Sequence, residues 1–133
     1  MIAYYLAVEN DIAVYEKESA AWAKHQISSH RVSSLNEAIE AAMKQPYYFI
    51  SINASNVNYE PKLELLRAVT NDPIFIATKN YSAQEQCHAL MLGADLYWEL
   101  GDKPEDNFAL CTAMINRLND HAKKKSTRNN YNP

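Results

Sequence analysis

A chain of 133 residues with 47% hydrophobic content and a formal net charge of −3 carries enough apolar material for one domain around a single core. That charge gives the folded body no electrostatic attraction for nucleic acid or an anionic membrane, and no apolar run approaches the ~18 residues of a membrane span. Gly93 and Gly101 are the only glycines, which argues against phosphate loops, where several backbone amides must close on an anion. Glu9 and Asp11 interrupt the exit of the first apolar stretch, so no signal peptide is expected. Cys87 and Cys111 lack metal-ligand spacing and fall on predicted apolar helix faces; buried free thiols in a reducing cytoplasm are expected.

Residues 2–8 are almost continuously apolar and predict a first, buried strand, with Glu9, Asn10 and Asp11 at its carboxyl end. The helix that follows places Ile12, Tyr15, Ser19 and Trp22 on one side. Residues 26–32, polar apart from Ile27 and Val32, predict a second strand at a sheet edge. Ser34 and Glu37 have the spacing of a capping box, opening a helix with Leu35, Ala38, Ile39, Ala42 and Met43 inward. Residues 47–53 are too short and too β-prone for a helix; Pro46 bounds them on one side and a polar turn cluster, 54–58, on the other. This central strand ends on Asn53.

Glu60 and Pro61 are expected to start a third helix carrying Leu63, Leu66 and Val69, with Leu65 widening the stripe; Asn71, Asp72 and Pro73 stop it. Ile74–Thr78 predicts a fourth strand. Ser82 caps a fourth helix with Ala83, Cys87, Leu90 and Met91 inward, closed by Gly93 in a left-handed position. Residues 96–100 form a short fifth strand. Asp102 and Glu105 repeat the capping-box spacing, with Pro104 in the first turn of a last helix that buries Phe108, Cys111, Ile115 and Leu118. Residues 1–121 therefore read as one domain, and 122–133, with Lys123, Lys124 and Lys125, as a disordered basic tail or a linker to an output domain.

Strands alternating with helices imply a doubly wound α/β fold, a five-stranded parallel sheet with helices on both faces. The flavodoxin-like strand order 2-1-3-4-5 is taken by analogy, and it turns Glu9, Asn10, Asp11 and Asn53 toward one crevice at the switch point. Simpler roles suit these residues as well. Asn53 serves as a strand-ending turn former, and Glu9 to Asp11 serve as the cap and first-turn acids of a helix. Tyr97 and Trp98 suit packing, and His25, His30, His88 and His121 lie in separate elements without ligand spacing.

The run from Leu6 to Asp11, the strand ending at Asn53, the stretch Pro73 to Thr78 and the stretch Gly93 to Tyr97 together resemble the landmarks of bacterial response-regulator receiver domains. The resemblance covers roughly residues 2–120. In that family two acidic residues after strand 1 hold magnesium and an aspartate ending strand 3 accepts a phosphoryl group. A Thr or Ser after strand 4 and a Lys after strand 5 contact that group, and an aromatic on strand 5 changes rotamer. Carried over, Glu9 takes the first acidic place and Asn10 the second, where direct metal binding is expected. Asn53 stands in the acceptor's place, Thr78 is retained, and Tyr97 matches the switch aromatic. Leu100 falls at the lysine's place; Lys103 reaches it only through a three-residue insertion.

The resemblance thus implies a degenerate receiver, a cytoplasmic signalling domain without metal, cofactor or enzymatic activity. A carboxamide has no anionic oxygen to attack phosphorus. Its expected partners are a second copy, through helix 4, strand 5 and helix 5, and a histidine kinase or other signalling protein. DNA would be reached only through an output domain, in transcription regulation. Gln84, Glu85, His88, Asp106, Asn107 and Arg117 are expected on the dimer face, with Trp98 and Leu100 as apolar anchors. Two alternatives stay open. One is a phosphate- or flavin-binding flavodoxin-like protein, against which the shortage of glycine counts; the other is an unconventional phosphotransfer receiver in which Asp11 moves into the metal role.

Overall fold

Each strand of this chain is followed by a helix that must cover the strand's apolar side chains, and the computed structural model, which describes residues 3–100 and 108–120, shows how. The order is β1 (Ala3–Val8), α1 (Ile12–Ala23), β2 (Ile27–Val32), α2 (Leu35–Lys44), β3 (Ile50–Asn53), α3 (Leu63–Val69), β4 (Ile74–Thr78), α4 (Ala83–Leu92) and β5 (Leu96–Glu99). Residues 108–120 are helical and are called α5 below. The strands form one parallel sheet in the order β2-β1-β3-β4-β5, with the polar β2 at an edge as expected.

Because successive strand residues face opposite ways, β1 feeds two cores at once. Leu6 and Val8 join Ile50, Ile52, Ile74 and Ile76 under α2 and α3. Tyr5 and Ala7 join Phe49 and Phe75 against Trp22 of α1 and Cys111 and Ile115 of α5. Tyr5 and Phe49 stack with centroids 4.8 Å apart, and the Trp22 ring tilts onto Phe49 at 4.9 Å. Covering both faces is what makes the strands read as continuous apolar runs.

The helix ends follow local chemistry. Asp11 Oδ1 accepts from the amides of Ala13 and Val14, and Ser34 Oγ accepts from that of Glu37. The Glu37 carboxylate reaches back to the Ser33 amide and hydroxyl, one residue before the cap. Those two bonds hold its carboxyl below the ordinary range. Gly93 closes α4 at φ 119, and a Cβ there would lie 2.7 Å from Cγ of Arg67. The Arg67 guanidinium donates to Gly93 O, Asp95 Oδ2, Thr70 O and Asp72 O, clamping the ends of α3 and α4 beneath β4.

Several expectations need correction. Regular strand β3 begins at Ile50 rather than at Tyr47; main-chain pairing with β1 starts at Tyr48, whose amide donates to Tyr4 O at 2.7 Å, while the Tyr47 amide donates to Asp72 Oδ2 instead. Ile12 is exposed beside Asn10 and Asp11, so the inward side of α1 is carried by Tyr15, Glu18 and Trp22. Met43 is exposed, since α2 packs on α3 as well as on the sheet, which brings Ala41 inward. Helix α3 starts at Leu63 rather than at Glu60; residues 60–62 are turns, and no side chain caps it. Its Leu65 is exposed.

The largest correction is the rotation of α4. Cys87, Leu90 and Met91 are exposed, as is Ala83, and the buried residue is Ala89. The Gln86 amide donates to Tyr97 O, and Gly93 turns the chain into buried Ala94. These contacts fix which side meets the sheet, whatever the apolar stripe. Cys87 is therefore not a buried thiol, whereas Cys111 is. The capping box of Asp102 and Glu105, Lys103, Asp106, Asn107, His121 and residues 122–133 lie outside the described residues.

Candidate functional site

Parallel pairing of β1 with β3 and of β3 with β4 brings three carboxyl ends to one edge of the sheet. Glu9 follows β1, Asn53 ends β3 and Thr78 ends β4, and they are 1%, 4% and 4% exposed. A carboxylate this deeply buried requires hydrogen-bond donors. Glu9 Oε1 accepts from Asn53 Nδ2 at 2.9 Å and from Asn56 Nδ2 at 2.9 Å, and the latter lies 3.2 Å from Oε2. Asn10 Nδ2 donates to the main-chain oxygen of Asn56 at 2.6 Å.

The other end of the Asn53 carboxamide is also engaged. Its Oδ1 accepts from the Ser55 amide at 3.0 Å, while its main-chain oxygen accepts from the amides of Asn56 and Val57. This fixes the amide's orientation, since a carboxylate can only accept and a main-chain N–H can only donate. The turn delivers Asn56, which sequence reasoning did not single out. Its signal was an Asn three residues beyond the strand-ending Asn, in a cluster read only as a turn.

Magnesium takes near-octahedral oxygen ligands and favours carboxylates. The crevice offers one buried carboxylate, and both its oxygens are within hydrogen-bond reach of carboxamide nitrogens. Asn10 directs its nitrogen at a carbonyl, and Asp11 is exposed with Oδ1 at the α1 cap. Among the described residues, no three His, Cys, Asp or Glu side chains group as a metal site. The donor set does not fit a divalent cation.

Thr78 Oγ1 accepts from the Asn80 amide at 3.1 Å and donates to Asn80 O at 3.4 Å. The Lys79 amide donates to Ser55 Oγ at 3.0 Å, tying the loop after β4 to the loop after β3. The Tyr97 ring is buried, and its hydroxyl donates to Glu85 Oε2 at 2.9 Å. Burial and the Glu85 carboxylate push the phenol up to about 12. Leu100 continues the β4–β5 pairing by donating its amide to Thr78 O at 2.8 Å, and it places no cation at the crevice. An open groove of about 340 Å³ runs beside Thr78, with Glu60 and Glu85 on its walls. Two carboxylates there oppose an anion such as a phosphoryl group.

No protein-family model and no curated protein matches the chain. Solved structures do. A two-component response regulator from Clostridium difficile is similar at a TM-score of 0.78 and 24% identity, over 88% of this chain and 98% of that one. An orphan response regulator of H. pylori aligns at a TM-score of 0.74 and 14% identity, over 85% and 96%. The receiver domain of a sensor histidine kinase from Pseudomonas aeruginosa, with magnesium coordinated in its active-site cleft, aligns at 0.76 and 18%, over 87% and 99%. The chain has the response-regulator receiver fold. Among the described residues, no helix is long and apolar enough to cross a membrane.

Proposed function

We propose that this chain is a pseudo-receiver, a cytoplasmic signalling domain that works without phosphotransfer and through protein contacts. One observation carries the reading. At the place of the phosphoacceptor, Asn53 donates its amide to Glu9 and accepts from the Ser55 amide. A receiver needs an anionic oxygen free to attack phosphorus and a metal to neutralise the incoming charge. Asn53 supplies no such nucleophile, and the donor set around Glu9 does not suit magnesium.

Receivers act by shifting between two conformations, and anything that favours one of them serves in place of a phosphoryl group. Here the carboxamides neutralise the hydrogen-bonding demand of Glu9 from within the chain, and Tyr97 is held inward by Glu85. A single settled conformation follows, able to pair constitutively through α4, β5 and α5. Exposed Gln84, Glu85, His88 and Arg117 supply the polar part of that face. Leu90 and Met91, turned outward, supply apolar surface on α4. In this reading the basic segment 122–133 leads to a DNA-binding output domain, and the role is transcription regulation. A histidine kinase would be at most a docking partner.

Acetyl phosphate with magnesium tests the chemistry: intact mass is expected to stay unchanged, and a stable phosphoryl adduct on the unmodified protein refutes the reading. Sedimentation tests the assembly. A dimer is expected at micromolar concentration, weakened by Arg117→Glu, and a monomer at hundreds of micromolar removes the proposed pairing.

A further inference from the structure

The groove beside Thr78 is walled by the chain between β3 and α3 on one side and by the first turn of α4 on the other, with Ser55, Asn58, Tyr59, Glu60 and Glu85 in its lining. No lysine or arginine lines it. Its two carboxylates are only partly engaged. Glu85 gives Oε2 to the Tyr97 hydroxyl, and no described residue donates to its Oε1. Glu60 Oε1 lies 3.8 Å from His88 Nδ1, beyond hydrogen-bond length, and both side chains are about half exposed, so water weakens the pair. Tyr59 is a different kind of group. It is 5% exposed, and its ring packs in the core under α2 and α3. Its hydroxyl has no hydrogen-bond partner among the described residues, yet the unpartnered atoms that are sealed from solvent are those of Tyr5 and Trp98. The exposed remainder of Tyr59 therefore opens into the groove that the residue lines. Burial raises the phenol's pKa, and the charges of Glu85 and Glu60 add to it, so both carboxylates act at this hydroxyl.

We propose that this groove binds the guanidinium of an arginine presented by a protein partner, between Glu60 and Glu85 and over the Tyr59 hydroxyl. A guanidinium carries five donors on a planar, weakly hydrated head, which suits acceptors spread over two walls and a floor. An ammonium is a compact, strongly hydrated point charge and meets fewer of them at once. A metal ion suits the groove less well, because one Glu85 oxygen is taken by Tyr97 and no three His, Cys, Asp or Glu side chains group among the described residues. The lining that opposes a phosphoryl group thus favours a cation, and in a domain working through protein contacts it gives one contact its chemistry. Neither the acetyl-phosphate outcome nor the sedimentation outcome depends on this site, although Glu85 is shared with the α4, β5 and α5 face.

The whole chain is titrated with N-acetyl-arginine-N-methylamide at constant ionic strength and followed by amide NMR shifts. The control is N-acetyl-citrulline-N-methylamide, which has the same length and a neutral urea in place of the guanidinium. Shifts that saturate in the millimolar range are expected at Tyr59, Glu60 and Glu85 with the arginine compound, and none with the citrulline compound. Glu60→Gln and Tyr59→Phe, the latter keeping the buried ring, are each expected to weaken binding about fivefold. The titration is repeated in Arg117→Glu, so that a groove covered by a second copy is told apart from one that binds nothing. Absence of saturable shifts in both proteins, equal binding of the citrulline compound, or unchanged affinity in both groove variants overturns the proposal. Tighter binding of free arginine would indicate an amino-acid ligand in place of a protein partner and overturns it too. So does binding that emerges only in Lys103→Gln, which would mean that the chain's own lysine holds the groove.

Discussion

Asn53→Asp is the sharpest perturbation of the crevice, because it restores a carboxylate to the place of the phosphoacceptor and sets it against Glu9. The amide nitrogen it removes lies 2.9 Å from Glu9 Oε1 in a site where both residues are almost fully buried. Losing a hydrogen bond to a charged group costs about 1.5–3 kcal/mol. Two like charges ~3 Å apart at an effective dielectric constant of ~20 repel by about 5 kcal/mol, an upper bound because the pair can separate or take up a proton. The net loss expected at alkaline pH is about 3–5 kcal/mol. The introduced carboxyl has its proton affinity raised by its neighbour. Its folded state therefore binds the extra proton more tightly than the unfolded chain, and the deficit shrinks as pH falls. Urea denaturation of parent and variant at about pH 8 and about pH 5 measures both effects. Two carboxylates also make a better magnesium site than one, so millimolar magnesium is expected to raise the variant's midpoint and not the parent's. Equal stability of parent and variant at the higher pH, or a loss independent of pH, would refute the carboxamide–carboxylate network as the organiser of the crevice.

Three further outcomes test the packing. Gly93→Ala forces a Cβ to 2.7 Å from Arg67 Cγ at a backbone φ of 119; thermal denaturation is expected to show a loss of about 1–3 kcal/mol, and an unchanged midpoint contradicts the tight cap. Arg67→Met leaves three carbonyls and the Asp95 carboxylate without their guanidinium. The Arg67 and Asp95 side chains are each 26% exposed, so water limits the loss seen in denaturation to about 1–3 kcal/mol. Glu18→Gln is expected to stabilise at about pH 8 by at most about 3 kcal/mol, because the folded chain holds this carboxyl at about 7 against an ordinary 4.5. Between those values the folded state binds more protons than the unfolded, so the parent loses stability as pH rises from 4.5 to 7 and levels off above. Chemical denaturation across that range is expected to show the fall in the parent and its absence in the variant.

What the sequence determined by itself lies close along the chain. Nearly unbroken apolar runs marked buried parallel strands, and the caps at Ser34, Ser82 and Gly93 fell where side chains bond their own backbone a few residues away. The order of those elements was enough for a doubly wound sheet, and Asn53 at the end of its central strand was legible as the residue in question. Tertiary structure decided the rest. Nothing in residues 54–58 shows that Asn56 turns its amide to a carboxylate 47 positions away. Periodicity records which residues of a helix are apolar; it does not record which side the helix presents. On α4 the Gln86–Tyr97 bond and the buried turn after Gly93 outweigh the stripe of Cys87, Leu90 and Met91. On α1 an acid points inward because Tyr15 and Trp22, on either side of it, gain more from the aromatic core than Glu18 loses. Caps and strand runs are local free energies, fixed by neighbours in sequence. Rotation of a helix and the donors that satisfy buried Glu9 are settled by groups that meet only when the sheet has formed.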